Sequence, residues 1–138
     1  MKALRPAERM LVVLGIEHPD QIDLEAIAWA AGAAVKYRPL DQCEAMIVGT
    51  ARRAIITVNS NALPTRKRFS LAHEIGHWHL HRGRVLICGS NDIGNPVHRS
   101  LDPEYQADQF ASDLILPGYM LRPRIAKMKR LTLQTRGK

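Results

Sequence analysis

Residues 73–81 read HEIGHWHLH, which places four imidazoles and one carboxylate within nine positions. Imidazole nitrogen is the commonest protein ligand for transition-metal ions, so the run points first to metal chemistry. On a helix of 3.6 residues per turn, His73 and His77 lie about 40° apart and one turn along the axis, close enough to hold one ion. Glu74 points about 60° beyond His77, toward a water bound to that ion more than toward the ion itself. That is the physical content of an HExxH pattern, with Glu74 as general base. His81 continues the stripe but lies on the order of 12 Å from His73 along the axis. One ion held about 2 Å from each nitrogen cannot reach both. His79 faces the far side, about 240° around. Geometry therefore selects His73 and His77 as ligands and leaves His79 and His81 as bystanders.

A hydrolytic zinc site takes three protein ligands and keeps a fourth position for water. A histidine six positions beyond the second histidine of the motif is one way to complete the set, and here that position is Gly83. The other way is a glutamate on a later helix. In the segment EYQAD, Glu104 and Asp108 lie four apart and share a helical face. Glu104 can ligate the ion, while Asp108 accepts the outer N–H of a ligating histidine, fixing its tautomer and raising its basicity. Acidic residues also suit the solvated first turn of any helix. The HExxH run upstream is what turns the reading toward ligation. Zn²⁺ is the expected ion, and Mn²⁺ or another divalent ion suits the same donors, because ligand type alone does not fix the metal.

These residues need elements to position them. Residues 5–15 have helical character, with Pro6 in the first turn and Gly15 at the end. A second helix follows in IDLEAIAWAAG, with Asp23 as N-cap and Gly32 as stop. The segments AAVKYRPL, EAMIVG and AIITVN are short and rich in β-branched residues, and they read as three strands of an antiparallel meander. A long helix then runs to about His81. Leu71, Ile75 and Trp78 form its apolar stripe, and Ala72 and Gly76 are small enough for close packing. Residues 83–103 read as a long loop, with a short strand at Val85–Cys88. Asp102 and Pro103 open a further helix that carries Glu104 and Asp108, and its small residues Ala107 and Ala111 permit close approach to the first ligand helix. The fold class implied is α+β, in one domain spanning 1–138 with a basic tail over about 122–138.

Composition narrows the remaining classes. The chain has 138 residues, 46% of them hydrophobic and 24% charged, ordinary values for a globular protein with a real core. No apolar run is long enough to span a membrane. The first twenty residues lack the pattern of a secretory signal, so a cytoplasmic setting with reduced Cys43 and Cys88 is expected. Net charge is +7, concentrated in the tail and in Arg66, Lys67 and Arg68. Nucleic-acid binding through the tail is the weaker reading, because no aromatic stacking pattern accompanies it. The tail reads more simply as a solvated face.

The segments RFSLAHEIGHWHLH (68–81) and EYQADQFASDLILP (104–117), with IDLEAIAWAAGAAVKYRPL and AIITVNS upstream, resemble the ImmA/IrrE family of zinc metallopeptidases. The likeness covers most of residues 20–120. It implies a compact zincin-like domain, His73, His77 and Glu104 as zinc ligands, and Glu74 as the catalytic glutamate. It also implies a protein substrate, with a helix-turn-helix transcriptional repressor the leading expectation. Some members carry extra DNA-binding or sensory domains, for which 138 residues leave no room. Tyr105, His98, Tyr119 and Arg68 are candidates for stabilising the oxyanion. By the same resemblance, Ala54–Asn59 is expected to be the edge strand that aligns substrate by strand addition. The alternative is a non-catalytic protein that sequesters a repressor, with structural zinc. The presence of Glu74 argues against it, because a structural site needs no general base.

Overall fold

The computed structural model describes residues 3–82, 102–122 and 127–129. The expected strand at Val85–Cys88, the long loop around it, His98, Cys88 and most of the basic tail lie outside the described residues. Helix α1 spans Pro6–Val13 and α2 spans Leu24–Ala30. Strands β1 (Ala33–Arg38), β2 (Ala45–Gly49) and β3 (Ala54–Asn59) form a sheet. Helix α3 spans Pro64–Leu80 and α4 spans Pro103–Ile115. The architecture is α+β.

Local chemistry sets the element ends. Asp23 caps α2 by accepting a hydrogen bond from the Ala26 N–H at 3.1 Å. Gly32 then takes a positive φ of 95°, and a Cβ there would lie 2.8 Å from the Arg52 carbonyl oxygen. Glycine is thus required twice over, by conformation and by close approach. Asp102 caps α4 through the Glu104 N–H at 2.9 Å, with Pro103 in the first turn.

The sheet departs from the expected meander. Its order is β1-β3-β2, with β1 parallel and β2 antiparallel to β3. The β2–β3 pair is a hairpin whose turn is closed by Thr50 N–H to the Arg53 carbonyl at 2.8 Å. β3 folds back into the middle, so the strand carrying the buried Ala54, Ile56 and Val58 has neighbours on both sides. Sequential strands are neighbours only most of the time, and here β1 and β2 are not. In consequence Ala54–Asn59 is central, not an edge, and its backbone is already paired on both sides. The free edges among the described residues belong to β1 and β2, and β2 is the one that packs against α3.

The core lies between the sheet and the helices. Leu71, Ile75 and Trp78 of α3 pack with Ile27 and Ala28 of α2 and with Ile56 and Val58 of β3. Trp78 also donates its indole N–H to the Ala31 carbonyl at 2.7 Å, tying α3 to the end of α2. On the other side, α1 packs against α4. There the buried Glu8 accepts the Arg5 N–H at 3.1 Å and the Tyr119 N–H at 3.2 Å. Each carboxylate oxygen thus has a backbone partner, which offsets the cost of burying it.

Candidate metal centre

Helices α3 and α4 meet along a seam of small residues. Ala72, Ala107 and Ala111 are fully buried there. A Cβ on Gly76 would lie 3.1 Å from Cβ and Cδ1 of Phe110, so the glycine sets how near α4 can come. That approach brings side chains of α4 onto the histidine stripe of α3. His73 Nε2 lies 2.9 Å from one oxygen of Glu104, and His77 Nε2 lies 3.0 Å from the other. The three residues offer donor atoms that all lie within 4.8 Å of one another, and all three are buried. A tetrahedral ion about 2 Å from each donor needs separations of roughly 3.3 Å. The two histidine–carboxylate distances lie near that value, and the two-nitrogen, one-carboxylate donor set suits zinc.

His73 Nδ1 lies 2.7 Å from Asp108 Oδ1, the contact expected of a carboxylate that orients a ligating imidazole. Burial works against a charged His73, but hydrogen bonds with Asp108 and Glu104 outweigh it and lift its pKa to about 9. An ion held here would take the place of the proton between His73 and Glu104. Burial also opposes charge on Glu104, yet its bonds to His73 and His77 hold it down at about 2, so its carboxylate is the charged anchor of the cluster. Glu74 is 8% exposed, and burial raises its pKa; the charges of His77 and His73 pull it down, while Glu104 pushes it up. A carboxylate so placed accepts a proton more readily than one in water.

The remaining sequence candidates separate cleanly. His79 is exposed, its ring 5.4 Å from that of Phe110 on α4, and it is not among the clustered donors. His81 is not a bystander: it is 5% exposed and its Nδ1 lies 3.0 Å from Nδ1 of His77. The angular argument tested it only as a direct ligand. Its position four residues beyond His77 was a signal for contact with that ligand. Tyr119 is engaged elsewhere, donating its hydroxyl to the Ile16 carbonyl at 3.3 Å near α1. Arg68 lines a surface cleft with Leu24, Glu25 and Tyr37, on the α2 and β1 side of α3. Tyr105, half-buried beside Glu104, remains as the oxyanion candidate among the described residues.

Fold and site together define an α+β domain with a candidate metal centre of the HExxH-plus-glutamate kind. The chain belongs to the Peptidase_M78 family: the IrrE N-terminal-like domain matches residues 28–135. It is also 31% identical over 78 residues to the radiation response metalloprotease IrrE of Deinococcus radiodurans. That match covers 56% of this chain and 21% of the relative, so the matched segment spans about a fifth of the relative's length. No helix among the described residues is long and apolar enough to cross a membrane.

Proposed function

We propose that this protein is a zinc-dependent endopeptidase acting on a protein substrate in the cytoplasm, with a DNA-binding helix-turn-helix repressor as the substrate class. The observation that carries the reading is the buried convergence of His73, His77 and Glu104, with Glu74 next in sequence to the first of them. Zinc held there supplies Lewis acidity toward the scissile carbonyl and a water of lowered pKa. Glu74 takes a proton from the attacking water and passes it to the leaving amine. Asp108 holds His73 in the tautomer that turns Nε2 inward. Tyr105, next to Glu104 in sequence, is the candidate donor toward the developing oxyanion. The substrate backbone aligns along β2, whose outer edge has no strand neighbour among the described residues and which packs against α3.

The decisive variant is Glu74→Gln, which keeps the shape of the side chain and removes the base. Co-expression with a repressor encoded beside this protein is expected to yield a cleaved product with the native chain. With Glu74→Gln, cleavage should fall by about 10²–10⁴-fold, the usual contribution of a general base, while bound zinc stays stoichiometric by elemental analysis. Full relief of repression by the variant, with the repressor intact, would replace catalysis with sequestration.

A further inference from the structure

The two candidate histidine ligands are held by different chemistry. His73 turns its outer nitrogen to a carboxylate, Asp108, at 2.7 Å. His77 turns its outer nitrogen, Nδ1, to Nδ1 of His81 at 3.0 Å. The Nε2 of His81 in turn lies 2.7 Å from Oε1 of Gln106, on α4. His81 closes the end of α3, where its backbone N–H still bonds to the His77 carbonyl at 2.8 Å. Its ring centroid lies 5.1 Å from that of His77.

The direction of this chain of hydrogen bonds follows from ligation. His77 Nε2 faces Glu104 at 3.0 Å and is the atom turned into the donor cluster. To bind an ion it must present a lone pair, so the neutral ring carries its proton on Nδ1. That N–H donates to Nδ1 of His81, which must therefore be unprotonated. His81 then carries its own proton on Nε2 and donates it to the Gln106 carbonyl oxygen. Each tautomer forces the next, and the amide orientation of Gln106 completes the sequence.

We infer that His81, held in place by Gln106, is a positioning residue for His77. It fixes the tautomer and ring orientation of that ligand, as Asp108 does for His73, but through a neutral chain instead of a carboxylate. His81 touches neither substrate nor ion, so its role is exerted through His77. The inference rests on the metal-centre reading above and deepens it. It also gives α4 three tasks at the site: Glu104 ligates, Asp108 orients one histidine, and Gln106 anchors the chain that orients the other.

The test is zinc affinity of the full chain, measured by competition with a chromophoric chelator, with folding followed by circular dichroism. His81→Leu removes the acceptor and is expected to weaken zinc binding by about 10–100-fold, the usual cost of losing such a partner. His81→Gln keeps a carbonyl oxygen that can accept the His77 N–H and should recover most of the loss. Nitrogen-15 spectra of the zinc-loaded native chain should show His77 protonated at Nδ1, coupled across the hydrogen bond to Nδ1 of His81. Unchanged affinity in His81→Leu would overturn the inference, as would equal losses in the Leu and Gln variants, which would mark simple packing. Should His81→Leu fail to fold, the Gln variant and the nitrogen-15 signature decide: a His77 ring protonated at Nε2 refutes the chain. A native protein that takes up no zinc removes the metal centre itself, a result separable from normal uptake that ignores His81.

Discussion

Helix α3 shows two sides with opposite chemistry. Toward the sheet and α2 it presents Leu71, Ile75 and Trp78, all buried in the hydrophobic core. Toward α4 it presents His73 and His77, also buried but matched to Glu104, Asp108 and His81. The first side holds the helix in place by removing apolar surface from water. The second buries polar groups that would cost stability if unpaired, and their hydrogen bonds leave them arranged around one point. The contrast teaches that fold and site share a helix without sharing residues, so each can be damaged separately.

That separation can be broken from either side. The largest effect belongs to His73→Ala, which removes one donor from the cluster and a partner from both Glu104 and Asp108. Zinc uptake should be lost in the chelator competition, and thermal melts should show a fold that persists. Ile75→Ala strikes the opposite side. The residue is fully buried, and its truncation should cost about 2–5 kcal/mol of unfolding free energy. Denaturant titration would show this, while zinc affinity of the folded fraction should stay near the native value. Gly76→Ala makes the smallest change and tests where the two sides meet. The new methyl would press on Phe110 at 3.1 Å, while alanine gains about 1 kcal/mol in helix propensity, so net stability should move little. By holding α4 off α3, it should still weaken zinc binding, by less than about tenfold. Loss of zinc binding in Ile75→Ala at full folding would show that the two sides are coupled.

Much of this was legible in the sequence because it depends on spacing within one helix. HExxH marked two histidines and a candidate base from the local period, and with it upstream the ExxxD pair at 104 and 108 marked a later helix whose side chains the structure brings to them. The caps at Asp23 and Asp102 were readable because capping is local chemistry. What escaped needed tertiary information. The position of β3 depends on which strands pair, and short connections fit either order. The tie between His81 and Gln106 joins residues 25 apart on different helices, and no local pattern links them. Tyr119 and Arg68 have suitable chemistry, and only packing shows that one turns to Ile16 and the other to the α2 side.

The buried Glu8 has a further consequence. Its two oxygens hold Arg5 and Tyr119, which are 114 positions apart in sequence, and Arg5 also pairs with Asp113 at 3.2 Å. Early and late parts of the described chain are thus fastened at one spot, where α1 lies on α4, while the donor cluster lies between α4 and α3. Such a clasp ties early and late parts of the described fold together without using any residue of the donor cluster.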